Sequence, residues 1–526
     1  MFDVLVIGAG PAGLASAWML SKAGLQVACI EQGPEHVSSD LLPIAEGGEL
    51  FKYSTLSSTP SVRSLPYEYT VNSNNSPIEL EFFSGVGGST LLFSAQYPRL
   101  QPRDFHIKSL TGKSVDWPFS YEDLEPFYLL DEEITGLSGL SGDPLNPSVQ
   151  PNMPPVRLGP MGEKLVEGFN SLGWRWWPSY SAINTVDRGT RPSDNYLRPT
   201  NLDYGPSKGS ANNTYYPLAI KEGVKFFLNS QALSLHLENT NSNSSICYVR
   251  ALRDNEEFVI KAKRFVLACG GAGTPRLLLN SRSPDHPRGL SNSSRLVGKN
   301  LMLHPWGYVQ GIFDEDILSN HGPNCCIISQ HFYDGPTDKS YTGGFTFQAI
   351  RGPLPIEASI ALLRQRKISL EGDFLSGFLS NYNHTAHIAV ITDDLPDERN
   401  YISLDEESSL RDGTLGIKVN YTLSKNSKRQ LSDGINKARM LLKAAGAIST
   451  TGFGPVRHTG WHILGTCRMG NDPNRSVVNH RCQSHDHPNL YIADASVFPT
   501  GGSVNPNATV TALALKMSQH LIEELK

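Results

Sequence analysis

The sequence lacks any apolar stretch of the roughly 18 residues that a membrane-spanning helix requires. Its first apolar run, Val4 to Ile7, is short and ends in a cluster of glycines. The basic start and longer apolar core of a secretory signal peptide are also missing. We therefore expect no membrane span, a fold that begins at Phe2, and a cytoplasmic location.

A strong excess of charge of one sign is missing too. The 46 lysines and arginines face 51 aspartates and glutamates, and no long run of either sign occurs. A nucleic-acid-binding surface is therefore not expected. The seven cysteines are scattered without a C-x-x-C pair, so we expect reduced packing residues and no metal centre. With 526 residues, the globular chain should form two or more domains.

Glycine is plentiful, and its clearest cluster lies near the start of the chain. The β-branched residues 3–7 predict a buried parallel strand, and Gly8 to Gly13 follow at G-x-G-x-x-G spacing. Residues 14–23 are typical of a helix and residues 25–30 of a second strand, which ends at Glu31. This order predicts a dinucleotide-binding βαβ unit, although a glycine-rich turn without a ligand is the alternative.

Each part of this unit has a physical task. Gly8 permits the tight turn, Gly10 lets a pyrophosphate approach the backbone, and Gly13 lets the helix pack closely on the strand. The helix N-terminus attracts the phosphates, and Glu31 can accept hydrogen bonds from the ribose hydroxyls. A site at the start of the chain that is completed near its end suits a permanently buried FAD. A second complete fingerprint for NAD(P)H is not found.

Several other segments organise the chain. A second glycine-rich turn, Gly85 to Thr90, either approaches the cofactor or is a plain tight turn. Residues 35–80 are interpreted as a long excursion, and Ser120 as the N-cap of a helix. Apolar runs within residues 305–460, separated by polar turns, predict an antiparallel sheet.

The chain is then predicted to return to the nucleotide-binding sheet. Strands are expected within residues 224–237 and 264–271, with a helix starting in residues 274–280. The tail is predicted to contain a last strand over residues 490–494 and a closing helix from Ala508.

Together these motifs resemble the glucose–methanol–choline (GMC) family of flavin oxidoreductases. The resemblance is carried by the N-terminal fingerprint, by Gly85 to Thr90, Trp117 to Tyr121, Val266 to Leu279 and Gly298 to Pro305, and by the block from His462 to Leu515. Residues 461–470 are most similar to the pyranose-oxidase and gluconate- or fructose-dehydrogenase branches.

The resemblance implies two domains. One is an α/β FAD-binding Rossmann-like domain, of the type seen in p-hydroxybenzoate hydroxylase, formed by residues 1–136, 216–304 and 462–526. The other is an α+β substrate-binding domain built on an antiparallel sheet, formed by residues 137–215 and 305–461.

The resemblance also implies the site residues. His462 is expected to act as the base above the flavin and Asn505 to bind the developing alkoxide, although an asparagine before Pro506 can simply be a turn residue. His304 is interpreted as structural. The expected FAD contacts are Gly8, Gly10, Pro11, Ala12, Gly13, Glu31, Gly87, Gly88, Ser89, Thr90, Ala232, Asp494, Ala495, Pro506, Asn507 and Thr509.

Two departures from relatives refine these expectations. Leu91 and Leu92 follow the second glycine turn where some relatives have a histidine that attaches the flavin, so we expect noncovalent FAD. Residues 208–214 contain no cysteine, unlike gluconate-dehydrogenase relatives, which argues against a cytochrome subunit as a partner.

The predicted function is FAD-dependent oxidation of an alcohol, CH–OH to C=O, with oxygen or a quinone-like compound as electron acceptor. The branch resemblance implies a sugar, glycoside or polyol as substrate. The alternatives are a flavin monooxygenase or other non-alcohol flavoenzyme, a lyase of the same fold, and an inactive FAD-binding module. Oligomeric state is left open by the sequence.

Overall fold

The computed structural model describes residues 1–36, 57–63, 65, 68–146, 148–194, 206–238, 245–352, 382–410 and 412–525. The middle of the predicted excursion, residues 37–56, lies outside these ranges. Within them, no helix combines the length and the apolar character that crossing a bilayer requires.

The strands and helices have the following bounds. The strands are β1 (Phe2–Ile7), β2 (Val27–Ile30), β3 (Val71–Asn75), β4 (Trp177–Pro178), β5 (Lys225–Phe227), β6 (Gln231–Leu237), β7 (Ile246–Arg253), β8 (Glu256–Leu267), β9 (Trp306–Ile312), β10 (Cys325–Phe332), β11 (Phe345–Ile350), β12 (Thr385–Thr392), β13 (Tyr401–Ser409), β14 (Leu415–Asn420), β15 (Ser449–Phe453) and β16 (Leu490–Ile492). The α-helices are α1 (Pro11–Lys22), α2 (Pro60–Arg63), α3 (Ile107–Thr111), α4 (Glu125–Thr135), α5 (Gly159–Ser171), α6 (Tyr215–Lys221), α7 (Gly270–Asn280), α8 (Lys425–Ala444) and α9 (Asn507–Leu525).

The first sheet is the predicted nucleotide-binding sheet. Among the described strands it has the order β5-β2-β1-β8-β7-β6, and β16 also pairs with β8. The pairs β5–β2, β2–β1, β1–β8 and β8–β16 are parallel, as buried apolar strands joined by helices require. The N-terminal half of β8 pairs with β7 in antiparallel fashion. The predicted βαβ unit and the return of the chain to its sheet are confirmed.

The second sheet is antiparallel, as residues 305–460 predicted. Its order in the described part of the chain is β15-β9-β12-β11-β10-β4. Helices α5 and α8 cover one face, and their apolar residues share a core cluster with β9, β10, β11 and β12. A smaller sheet of the described residues has the order β13-β14-β3 and takes up part of the predicted excursion. The α/β domain with an added antiparallel sheet is therefore the observed fold.

Two predicted helix starts are wrong. Ser120 does not cap a helix, because its backbone N–H and its hydroxyl both contact the Asp123 carboxylate in a local turn. Helix α4 begins only at Glu125, so that Pro126 lies in the first turn, where its missing N–H costs no hydrogen bond. Helix α7 begins at Gly270, four residues before the predicted Thr274.

Candidate active site

A cavity of about 500 Å³ lies where the parallel strands β1 and β8 end. Ile7 and Gly8 border it at the end of β1, and Ala268 and Cys269 border it just after β8. The carboxyl ends of parallel strands are where α/β folds bind nucleotides. Trp306, the first residue of β9, is also part of the wall, so the antiparallel sheet contributes to the same cavity.

Most of the predicted site residues border this cavity. They are Gly8, Gly10, Pro11, Ala12, Glu31, Gly88, Ser89, Thr90, Ala232, His462, Asp494, Ala495, Asn505, Pro506 and Asn507. Gly13, Gly87 and Thr509 are not among the wall residues. The Gly87 N–H donates to the Ala9 carbonyl over 2.8 Å, and the Thr509 hydroxyl bonds the Tyr128 hydroxyl over 2.7 Å. These two residues therefore support the wall from behind.

The glycines of the fingerprint have the two kinds of surroundings that the motif requires. A Cβ atom on Gly13 would overlap the carbonyl oxygen of Gly8, so this glycine is needed where α1 crosses β1. A Cβ atom on Gly10 would meet nothing within 4 Å. Gly10 borders the cavity at the N-terminus of α1, where unpaired N–H groups and the helix dipole favour an anion.

Glu31 is held by the backbone of the same unit. Its carboxylate accepts hydrogen bonds from the Ala9 N–H over 2.8 Å and from the Gly33 N–H over 2.9 Å. Burial raises the pKa of the Glu31 carboxyl to about 7, although these N–H groups oppose the shift. Each carboxylate oxygen has a second lone pair, so the predicted bonds from ribose hydroxyls remain possible and stay a prediction.

Asp494 joins the end of β16 to the start of α7. Its carboxylate accepts hydrogen bonds from the Gly270 N–H, the Thr274 hydroxyl and the Ser496 N–H, at 2.9, 2.5 and 2.9 Å. Burial raises the pKa of this carboxyl. The network fixes the chain on both sides of Asp494, including its neighbour Ala495, at the edge of the cavity.

The two residues expected to be catalytic lie together. Asn505 Nδ2 is 3.4 Å from His462 Nε2, and both side chains border the cavity. His462 lies in the loop between β15 and β16, and Asn505 precedes α9. Burial, followed by the neighbouring His304, lowers the pKa of the His462 imidazole well below its usual value. The ring is therefore neutral around pH 7 and has a lone pair that can accept a proton.

Three further side chains of the site were missed by sequence reasoning. His304, interpreted as structural, has its Nδ1 3.0 Å from Nδ1 of His462. Gln348 Nε2 donates to Asn505 Oδ1 over 2.5 Å, and no motif marked this residue in β11. Trp306 borders the cavity with a buried Nε1 that has no hydrogen-bond partner. For Trp306, its place two residues after His304 was the available signal.

One group of potential metal ligands occurs among the described residues. Glu79, Glu81 and His458 bring their ligand atoms within 4.8 Å of one another. Arg457 contacts the Glu79 carboxylate over 2.6 Å, and His458 Nδ1 lies 3.0 Å from the same group. The Arg457 guanidinium therefore already partners the Glu79 carboxylate.

The residues around the cavity fit FAD. Gly10 leaves open space at the N-terminus of α1 for a pyrophosphate. The buried acid Glu31 follows β2, and the neutral imidazole of His462 and the amide of Asn505 border the same cavity. A Rossmann-like sheet with these features defines an FAD-dependent oxidoreductase.

The comparisons with known proteins give the family. The sequence matches the family described as GMC oxidoreductase over residues 155–306 and 396–514, and an FAD binding domain over residues 3–55. The 2-methyl-1,2-propanediol dehydrogenase of Mycolicibacterium austroafricanum is 32% identical, and the match covers 99% of this chain and 95% of that protein. The chain belongs to the GMC oxidoreductase family.

Other relatives agree with this assignment. The fructose dehydrogenase large subunit of Gluconobacter japonicus is 28% identical over all of this chain and 98% of its own length. The crystal structure of pyridoxine 4-oxidase from Mesorbium loti has the same fold, with a TM-score of 0.69, 16% identity and 99% of both chains covered. The protein is thus an FAD-dependent enzyme that oxidises CH–OH donors, which favours alcohol oxidation over the monooxygenase alternative.

Proposed function

We propose that the protein oxidises a hydroxyl group of a sugar, glycoside or polyol, with His462 as the base. The observation that carries this proposal is the buried pair of His462 Nε2 and Asn505 Nδ2, 3.4 Å apart on the wall of the cofactor cavity. An acceptor and a donor at this spacing can both reach one substrate oxygen.

The chain's own groups have two tasks in this reaction. His462 Nε2 accepts the hydroxyl proton, which its lowered pKa permits because the ring is neutral and its lone pair is available. The Asn505 amide donates a hydrogen bond to the oxygen as negative charge develops there, and so holds the reacting carbon in place. FAD, when bound, supplies the acceptor for the hydride that leaves this carbon.

Polar groups around His462 and Asn505, the reacting pair, support a polyhydroxylated substrate. The Trp306 N–H is buried without a partner, and Gln96 and Asn324 also border the cavity. A buried donor without a partner favours a ligand that can satisfy it. Relatives named for 2-methyl-1,2-propanediol and fructose also act on compounds with several hydroxyl groups.

We also propose that FAD is held without a covalent bond. Leu91, which follows the second glycine turn, is buried and offers no nucleophile. Cys269 borders the cavity, but burial raises the pKa of its thiol well above the usual value, so no thiolate is available there. Acid precipitation of the yellow protein is expected to leave all flavin in the supernatant, whereas colour in the pellet would contradict this proposal.

The domain division belongs to the same proposal. Residues 305–461 supply the antiparallel sheet, and Trp306 and Gln348 in this part of the chain lie at the reacting pair. This supports a substrate-binding role for residues 137–215 and 305–461, opposite the FAD-binding residues 1–136, 216–304 and 462–526. A cytoplasmic location remains the expectation, and the seven free cysteines are compatible with a reducing compartment.

Anaerobic reduction of the bound flavin tests the proposed chemistry. A panel of monohydric alcohols, polyols and sugars should include a compound that bleaches the flavin without NAD(P)H. His462→Ala should slow that bleaching by roughly 10²-fold or more, the usual contribution of a general base. His458→Ala, an exposed histidine outside the cavity, is the control. An unchanged rate in His462→Ala would remove this residue from the mechanism.

Reoxidation of the reduced flavin by oxygen and by a quinone-like dye then distinguishes an oxidase from a dehydrogenase.

A further inference from the structure

Four side chains form one line of contacts across the reacting pair. Gln348 Nε2 donates to Asn505 Oδ1 over 2.5 Å, Asn505 Nδ2 lies 3.4 Å from His462 Nε2, and His462 Nδ1 lies 3.0 Å from His304 Nδ1. All four side chains are buried. His304 and Gln348 are not wall residues of the cavity, so their contacts with His462 and Asn505 lie away from it, and each contact constrains the next.

The direction of the first contact determines the others. The carbonyl oxygen of an amide only accepts, and its nitrogen only donates. Because Gln348 donates to the Asn505 oxygen, the Asn505 NH2 group faces His462 and needs a lone pair on Nε2. A neutral imidazole with a bare Nε2 carries its proton on Nδ1. That proton points at His304 Nδ1, which must then be the acceptor.

We infer that His304 and Gln348 are positioning residues that hold His462 in the tautomer with its proton on Nδ1, so that Nε2 carries the lone pair that a base needs. The inference rests on the proposed role of His462. His304 touches neither substrate nor cofactor in this scheme, and no proton moves to it. When Nε2 takes the substrate proton, the Nδ1–H continues to donate to His304, so the ring keeps its orientation during the transfer.

The surroundings of His304 support a role beyond packing. Its backbone has φ of 45°, in the left-handed region that few residues other than glycine adopt. Its Nε2 is buried without a partner, which an apolar side chain of similar size would avoid. Gly501 makes room for the ring, since a Cβ atom at this position would overlap His304 Nε2. The chain thus accepts an unfavourable backbone conformation and an unsatisfied nitrogen to place Nδ1 against His462.

A pair of substitutions at 304 tests the inference in the FAD-loaded enzyme. His304→Phe keeps an aromatic ring but removes the acceptor, whereas His304→Asn suits the left-handed backbone and offers an oxygen acceptor. We expect His304→Phe to lower the limiting rate of anaerobic flavin reduction by roughly 10- to 100-fold, with little change in the substrate concentration for half-maximal rate. His304→Asn should restore most of this loss. His387→Phe, another buried histidine with an Nδ1 bond to the Tyr308 hydroxyl, is the control.

Nitrogen-15 NMR of histidine-labelled protein gives a readout that a packing role would not move. The His462 signals, identified by their loss in His462→Ala, should show a protonated Nδ1 in the wild type and in His304→Asn. In His304→Phe, the Nδ1–H loses its acceptor, so the fraction of His462 with the proton on Nδ1 should fall. A wild-type rate together with an unchanged tautomer in His304→Phe would overturn the inference.

If His304→Phe does not fold, substitutions of Gln348 test the contact between Gln348 and Asn505 at the other end of the line. Gln348→Leu frees the Asn505 amide, whereas Gln348→Glu offers only acceptors and should turn the Asn505 oxygen toward His462. The rate should therefore fall in the order wild type, Gln348→Leu, Gln348→Glu, and equal rates would contradict the inference. If flavin reduction is slow in His462→Ala but normal in the His304 and Gln348 variants, only this inference is wrong. If flavin reduction is normal in His462→Ala, the proposed function itself is wrong.

Discussion

The backbone N–H of Ala9 donates a 2.8 Å hydrogen bond to the carboxylate of Glu31, 22 residues further along the chain. This contact joins the glycine turn after β1 to the acid after β2. It leaves Glu31 buried, and burial raises its pKa to about 7. Its protonation state is therefore sensitive to pH and to whatever binds beside it.

The affinity of the apoprotein for FAD should depend on pH through Glu31. Ribose hydroxyls that donate to the carboxylate favour its charged form, so bound FAD lowers this pKa below about 7. Binding then releases a proton below that pH, and the affinity falls as pH decreases, by at most about tenfold per unit. Fluorescence titrations of the apoprotein from about pH 5.5 to about pH 8.5 measure this. Glu31→Gln should bind more weakly with a flatter profile, and an equally steep profile in that variant would contradict the prediction.

Gly10→Ala and Gly13→Ala should separate cofactor binding from folding. A Cβ atom on Gly10 meets no protein atom within 4 Å, so the unfolding free energy of the apoprotein should change by no more than about 0.5 kcal/mol. The affinity for FAD should fall by about tenfold or more, because Gly10 is where the pyrophosphate approaches the backbone. At Gly13 the Cβ atom would overlap the Gly8 carbonyl oxygen, and we expect a loss of about 1–3 kcal/mol of unfolding free energy. Thermal unfolding of the apoproteins and FAD titrations give both quantities. Equal behaviour of the two variants would show that the cofactor lies elsewhere.

Trp306→Phe should affect polyols more than simple alcohols. The substitution keeps an aromatic wall but removes the buried N–H that has no partner in the protein. Loss of one hydrogen bond to a second hydroxyl should raise KM for a polyol by about tenfold. A monohydric alcohol of similar size has no such hydroxyl and should change little. Proportional changes for both substrates would assign Trp306 to packing alone.

Breaking the buried ion pair of Arg99 and Glu132 should destabilise the fold strongly. Arg99 contacts both carboxylate oxygens of Glu132, at 2.6 and 2.7 Å, and both residues are buried. Glu132→Leu removes the main partner of the buried guanidinium, which keeps only the Glu125 carboxylate at 3.7 Å and the Tyr121 hydroxyl, and should cost about 3 kcal/mol in unfolding free energy. The double variant Arg99→Met with Glu132→Leu should recover much of this loss. Denaturant unfolding of the three proteins checks the order, and a double variant less stable than Glu132→Leu would contradict it.

The local motifs could be interpreted from the sequence because their geometry depends on near neighbours. Gly8, Gly10 and Gly13 have fixed spacing within one turn and one helix, and their surroundings are those that the motif predicts. The prediction of Ser120 as a helix cap is wrong because its contacts with the Asp123 carboxylate form a local turn. The helix begins at Glu125, with Pro126 in its first turn. Competing local signals of this kind cannot be ranked without knowledge of the packing.

The line of contacts behind the reacting pair could not be predicted in the same way. His304 and His462 are separated by 158 positions, and Gln348 and Asn505 by 157. The contacts depend on how β11 and the loops before β9, after β15 and before α9 meet, which no spacing in the sequence encodes. His304 was therefore interpreted as structural, although the imidazole lies directly beside the proposed base.

The strand β16 pairs with the middle of the nucleotide-binding sheet, and it precedes α9 near the far end of the chain. The glycine turn after β1 is synthesised long before Asp494, Pro506 and Asn507. In the interval, the nascent chain lacks part of the wall of the cofactor cavity. Flavin capture in the complete cavity must therefore await synthesis of the segment from β16 to the start of α9.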